Sequence, residues 1–272
     1  MNVSFYFIRH GRTLFNTQHK VQGWCDSPLV EEGVTAARAI GSKLAGVEFA
    51  RAYASDKGRT CQTLAELLDA RAVARGERAL ADAAPAADAR ATGDGASKNP
   101  SPSTAGAAEW LSALDEALAT GSVVTQAGLP LQTDPRLREW CYGDLETHLG
   151  EELHQRLVQG FGEELTFAEE NVRLPETADN LARLDRSGRA ERFADIEARL
   201  RSFLQSVGDD AHAHGGGNVL VVTHAFTIRT IMYLLDRSRI NDPLVILNGS
   251  LTRVDYDGER FVLRETGAME PA

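Results

Sequence analysis

The chain has 272 residues, 43% of them hydrophobic and 25% charged, with a formal net charge of −10. That length buries a sizeable core in one elaborated domain or two small ones, and the acidic balance argues against a nucleic-acid backbone or an anionic membrane surface as partner. No apolar run approaches the roughly 20 residues of a membrane-spanning helix, MNVSFYFIRHG lacks the basic start of a signal peptide, and the scattered Cys25, Cys61 and Cys141 fit free thiols in a reducing cytoplasm.

In chain order, VSFYFI (3–8) predicts a strand buried on both faces. Residues 31–45 carry apolar side chains at helical spacing behind an acidic first turn, which predicts a helix. ARAYAS (50–55) reads as a second strand and 58–72 as a second helix. Residues 73–107, rich in Ala, Gly, Pro, Ser and Asp, offer almost no large apolar side chains and predict a flexible insertion. Residues 147–190 are polar and helix-prone, and predict a helical excursion near the carboxyl end of the sheet. VLVVTHA (219–225) is the clearest buried strand, and TIRTIMYLLD (227–236) follows with helical periodicity. LTRVDYDGERFVLRE (251–265) alternates on either side of Asp257 and Gly258, a hairpin signal. The alternation implies an α/β protein, a three-layer α/β/α sandwich with a largely parallel central sheet. Ligands of such sheets bind beyond the strand carboxyl ends. Arg9 with His10, Ser55, and His224 each follow a strand there.

FIRHGRTLFN (7–16) places an arginine, a histidine and a glycine directly after a buried strand, with Thr13 and Asn16 beyond. A neutral imidazole is a nucleophile toward phosphorus, and an adjacent guanidinium holds phosphate oxygens bidentately. Read alone, the segment is equally a capped loop with a solvated arginine. His224, alone, is more often a satisfied core imidazole; at a strand end on the ligand side, and if protonated, it donates to phosphate oxygens. Arg59 opens a helix, where anions are already favoured, or else forms a surface salt bridge. Glu139 sits beside Trp140 and Tyr142, whose exclusion of water would raise its pKa as a general acid requires. Standing alone, it is an ordinary exposed glutamate. His212 and His214, in AHAHGGG, read as a solvated loop rather than a metal site.

Together these segments resemble the histidine phosphatase superfamily, which includes phosphoglycerate mutases. Arg9, His10, Gly11, Thr13 and Asn16 are similar to its RHGxTxxN signature, and QGWCDSPLVEEG (22–33) to its G-x-x-D-x-P-L-x-x-x-G run. SDKGRTCQT (55–63), REWCYGDLE (138–146) and VTHAFTIR (222–229) resemble the three later motifs, in order. The resemblance implies one such domain over 1–272. It implies His10 as nucleophile, Glu139 as proton donor, and Arg9, Arg59 and His224 as the phosphate pocket. Thr13, Asn16, Gln22, Gly23, Tyr142 and Ala225 are implied as the substrate-binding surround. Three positions depart from the family pattern. Ala225 and Thr147 stand where glycine is usual, and the stretch from Arg59 to Glu139 is long.

Phosphohistidine chemistry needs neither metal nor cofactor, because arginines neutralise the transferring group. The expected partner is a small phosphorylated substrate; no oligomeric state is assigned. The favoured function is a phosphomonoesterase. A mutase is the alternative, supported by GWCDSPL and Tyr142, but residues 147–180 hold only Arg156 and Arg173 as cations against many acids. A non-catalytic phospho-ligand-binding module is the third reading.

Overall fold

The structure, a computed structural model, describes residues 2–77 and 104–269. Strand β1 (Val3–Arg9) leads through a one-turn helix α1 (Leu14–Thr17) to α2 (Glu31–Lys43), strand β2 (Phe49–Ala54) and helix α3 (Gly58–Ala74). Helix α4 (Ala105–Thr120) then precedes the short strands β3 (Val124–Gln126) and β4 (Leu129–Thr133). Three helices follow, α5 (Gly150–Phe161), α6 (Phe167–Val172) and α7 (Leu174–Leu184), and then the long α8 (Phe193–Ala213). Strand β5 (Gly217–Thr223), helix α9 (Ala225–Leu235) and the hairpin β6 (Leu251–Tyr256) and β7 (Phe261–Ala268) complete the chain.

The sheet order is β3-β4-β2-β5-β1-β6-β7. Strands β4, β2, β5 and β1 run parallel, while β3, β6 and β7 add antiparallel edges. Alternation along β1 explains the three layers. Phe5 and Phe7 point to one face, where they meet Phe203 of α8 and Ile228 of α9. Tyr6 and Ile8 point to the other, against Ile40 of α2 and Leu64 of α3. Each such fully buried side chain contributes about 1.5–3 kcal/mol by leaving water, so Phe7→Ala would cost roughly 3–5 kcal/mol with the cavity included.

The predicted strands and helices around β1, α2, β2, α3, β5, α9 and the hairpin all form. Of the stretch 73–107, residues 78–103 lie outside those described. Its flanks are helical instead of loose: α3 continues to Ala74 and α4 begins at Ala105, capped by the Thr104 hydroxyl. The reason is burial, because Ala107, Trp110 and Leu114 pack into the core on the α2/α3 side. His212 also differs from expectation. It belongs to the last turn of α8, stacked edge-on against Tyr256, and His214 caps that helix. Among the described residues, no helix is long and apolar enough to cross a membrane.

Candidate active site

Three neighbouring strands, β2, β5 and β1, end at one edge of the sheet, and each hands a basic side chain to the same place. His10 extends β1 by one residue, its N–H donating to the Thr223 carbonyl at 2.9 Å. The ring is buried, with Nδ1 2.8 Å from the Gly11 carbonyl. A carbonyl only accepts, so Nδ1 carries the proton and Nε2 keeps its lone pair. Burial, reinforced by the charges of Arg59 and Arg9, pulls the His10 pKa well below 6.5. The imidazole is therefore neutral at pH 7 and nucleophilic at Nε2.

His224 lies edge-on to His10, ring centres 5.2 Å apart. Arg59 Nη2 is 3.0 Å from His224 Nδ1. A guanidinium has donors only, so His224 Nδ1 accepts and its Nε2 bears the proton. Burial and then Arg59 lower the His224 pKa well below 6.5. The condition that His224 be protonated is therefore not met, and the neutral ring presents one N–H.

Arg59 is held on several sides. It is fully buried. Besides His224 it binds the carbonyls of Gly23 and Cys25, both at 2.8 Å, and Asp26 at 3.0 Å. With its terminal nitrogens so committed, Arg59 fixes the 22–26 loop and the His224 tautomer, and only Nε remains. Arg9 gives Nη1 to the Ile246 carbonyl at 2.6 Å, and burial brings its pKa down to about 10. Thr13 caps α1 by accepting from the Asn16 N–H, and its hydroxyl donates to Gln22 Oε1 at 2.7 Å. Asn16 caps in return, its Oδ1 accepting from the Thr13 N–H. Both build the loop. On the site residues, buried donors without a partner include Arg9 Nε, Gln22 Nε2, Arg59 Nε and His224 Nε2, and the Ser55 hydroxyl at the end of β2 is unpartnered as well. Each unpaired buried donor costs about 1–3 kcal/mol. Such a set suits an anion.

Glu139 is buried across the entrance to α9. Its Oε1 accepts from the N–H groups of Trp140 and Thr227 and from the Thr227 hydroxyl, while Oε2 accepts only from the Phe226 N–H at 3.0 Å. The carboxylate thereby satisfies helix-start donors that His224, the N-cap residue, leaves open. Burial raises the Glu139 pKa, against the pull of those N–H groups and of Arg59 and Arg9. Ala225 opens α9 beside it.

The supporting roles of Glu146, Asn248 and Arg199 were not read from the sequence. Glu146 accepts from the N–H groups of Gly23, Trp24, Cys25 and Tyr142, at 2.8–3.1 Å. Gly23 has to be glycine, because a Cβ there would strike the Trp140 carbonyl and the Glu146 carboxylate. Gly11 is similarly confined, a Cβ falling 2.5 Å from the Gly33 carbonyl. Asn248 donates to the His10 carbonyl at 2.8 Å, and Arg199 ties down the carbonyls of Arg136, Arg138 and Glu139. The Asn-Gly-Ser turn before β6 is the one sequence signal that pointed to Asn248. Arg199, in mid-helix, gave none.

The chain is 24% identical over 253 residues to the probable phosphoglycerate mutase GpmB of Yersinia pestis (strain Pestoides F), covering 92% of this chain and 84% of the relative. Among solved structures, phosphoglycerate mutase from Bacillus anthracis str. Sterne superimposes with a TM-score of 0.73 and 26% identity, over 98% of this chain and 94% of that one. A putative alpha-ribazole-5'-P phosphatase from Escherichia coli str. K-12 shares the fold, with a TM-score of 0.57 and 18% identity, over 99% and 98%. The family model for branch 1 of the histidine phosphatase superfamily matches residues 5–82 and 87–268. On that match, which takes in both histidine-bearing strands, the chain belongs to the histidine phosphatase superfamily.

Proposed function

We propose that the protein is a phosphomonoesterase working through a phosphohistidine at His10. The observation that carries this reading is the protonation pattern: His10 holds an unprotonated Nε2 while His224 Nε2, Gln22 Nε2, Arg9 Nε and Arg59 Nε stand as unpaired donors. In the first step His10 Nε2 attacks phosphorus and the ester P–O bond breaks, while Glu139 gives its proton to the departing alcohol oxygen. Arg9 and Arg59 offset charge on the transferring group while the neutral donors of His224 and Gln22 bind its oxygens, so no metal is required. In the second step Glu139, now ionised, takes a proton from water, whose oxygen attacks phosphorus as the bond from phosphorus to His10 Nε2 breaks. Inorganic phosphate leaves, and His10 is again neutral.

Hydrolysis is favoured over mutase chemistry by the charges beside the site. A mutase must hold a second anionic group while its phosphoenzyme waits. Arg156 pairs with Asp144, and Arg173 with Glu163 and Glu176. Of the six glutamates 151, 152, 163, 164, 169 and 170, only Glu170 lines the neighbouring cavity. The others cap helices or pair with neighbours; Glu169, for example, closes the capping box of α6. With Glu170 on that cavity wall and both cations of 147–180 already paired with acids, this stretch offers a second phosphate little attraction.

The test is rapid quench with a labelled monoester, followed by peptide mapping. Acid-labile, base-stable label on His10 is expected, with phosphate release from 3-phosphoglycerate outrunning its conversion to 2-phosphoglycerate. Label elsewhere overturns the nucleophile. Interconversion that outpaces release, stimulated by bisphosphoglycerate, replaces the esterase with a mutase.

A further inference from the structure

Two neighbouring cavities, which share Phe167 and Phe226 as walls, open on the Arg9 side of the site. The smaller, about 160 Å³, is bounded by Arg9, Ala225, Phe226, Phe167, Val245 and Ile246. The larger, about 290 Å³, shares Phe226 and Phe167 and runs on between Leu153, Leu157, Leu165 and Leu181. Its walls come from α5, α6 and α7, the helices that interrupt the α/β alternation. The polar side chains on the walls are Tyr142, His154, Glu170 and Thr177 in the larger cavity and Arg9 and Arg229 in the smaller, Arg229 being spent on the carbonyls of Ile240, Pro243 and Leu244. Thr177 spends its hydroxyl on the carbonyls of Glu170 and Arg173, and His154 faces Glu164 at 3.5 Å. Burial pushes the Glu170 carboxyl up. Val245, on the wall of the smaller cavity, is 50% exposed.

Phe226 joins this cavity to the chemistry. Its N–H holds Glu139 Oε2, and its ring, 4.9 Å from that of Trp140, forms the cavity wall. An alcohol oxygen that takes a proton from Glu139 therefore leaves with its carbon skeleton directed at the Phe226 ring. We infer that the cavity is the leaving-group subsite, and that the substrate is a phosphomonoester of an alcohol bearing a large apolar group, a ring or a branched hydrocarbon. The inference rests on the monoesterase reading for its chemistry. A sugar or polyol phosphate is disfavoured, since each hydroxyl would surrender water among leucines without a new partner.

Binding of alkylphosphonates, which cannot be turned over, tests the subsite apart from the reaction. Calorimetry with the ethyl, butyl and hexyl compounds should show affinity rising about two- to fourfold per added methylene. The 2,3-dihydroxypropyl analogue should bind no better than ethyl. Leu153→Trp, or Leu165→Trp if the first variant does not fold, fills the cavity and should flatten the series to less than twofold from ethyl to hexyl. Equal affinities in the parent protein overturn the inference, as does an undiminished series in both folded variants. Turnover of the matching alkyl phosphates, whose leaving groups differ little in pKa, is measured alongside. Phosphonate discrimination without phosphate release keeps the subsite and removes the esterase; release without chain-length dependence does the reverse.

Discussion

Replacing Glu146 with glutamine should damage the site without touching a group that meets substrate. Its two oxygens accept four backbone N–H bonds: Trp24 and Tyr142 on Oε1, Gly23 and Cys25 on Oε2. A carboxylate accepts on both sides, whereas an amide turned either way sets its NH₂ against two N–H donors. Two charge-assisted bonds are lost, at about 1.5–3 kcal/mol each, or roughly 3–6 kcal/mol in all. That is a large part of a typical stability of about 5–15 kcal/mol. The same loop carries the carbonyls that hold Arg59, and Arg59 fixes His224, so kcat/KM should fall at least tenfold as well. Urea unfolding with both m-values compared gives the stability difference. The pH dependence gives its origin. Burial pushes the Glu146 carboxyl up, but the hydrogen bonds from Cys25, Trp24 and Tyr142 together outweigh it and leave the pKa below 4.5. A carboxyl depressed by folding stabilises above its unfolded pKa, and that stability is lost as pH falls through the folded value. The gap between parent and Glu146→Gln should therefore be full at pH 7 and narrow from about pH 4.5 downward. A gap under about 1 kcal/mol at pH 7, or one that persists in acid, would refute the reasoning.

Glu139→Gln should slow alkyl phosphates by about 10²–10⁴ and nitrophenyl phosphate far less, since only alkyl leaving groups need the proton; equal losses would assign Glu139 an electrostatic part. In the parent enzyme, turnover of alkyl esters should hold at low pH and fall as pH rises through the elevated Glu139 pKa, while nitrophenyl turnover lacks that limb. Thr147 is exposed with φ of 72°, a left-handed backbone that β-branched residues resist. Thr147→Gly removes about 1–2 kcal/mol of strain against about 0.5–1 kcal/mol of added chain entropy, so Tm should rise by about 1–4 °C; a fall would show that the side chain contributes. Replacing residues 78–103 with six Gly/Ser residues should leave Tm and phosphate release within error. Thr104 is anchored to Asp69, eight residues before Glu77 on or beyond α3, a span of about 12 Å that six residues reach. Extending the deletion through Trp110 should cost several °C, because that ring is core.

How much was legible follows from the length of each signal. Strands β1 and β5 are continuous apolar runs buried on both faces, and such runs announce themselves. Strands β3 and β4 do not: they are three and five residues, joined through Gly128, with Pro130 near the sheet edge, too short for any period. Helix α4 hid in an alanine-rich stretch whose apolar face is mostly methyl groups, with Trp110 and Leu114 as its few large side chains. Helix α8 has an ordinary stripe, Ile196, Leu200, Phe203, Val207 and Ala211, at readable spacing; the expected excursion ended at 190 and passed it by. At the site, motif order pointed to His10, Arg59, Glu139 and His224. It could not give their protons. Those depend on contacts such as Arg59 to His224, between residues 165 apart in sequence, and on burial that no local pattern encodes.

The position of β1 between β5 and β6 has a consequence for how the chain is made. Val3–Ile8 leaves the ribosome well ahead of its hydrogen-bonding neighbours, residues 217–222 and 251–256. At about 5–20 residues per second, that strand waits roughly 10–40 s for its first partner. Until then, VSFYFI is an unpaired aromatic segment of high β propensity, the kind that finds other chains instead. Nor can His10 be seated early, since its own N–H bonds to Thr223 and its carbonyl to Asn248. His10 is synthesised more than 200 residues before the groups that seat it. A fragment stopping before residue 251 would leave one side of β1 open, and should be recovered as aggregate rather than as a weakened enzyme.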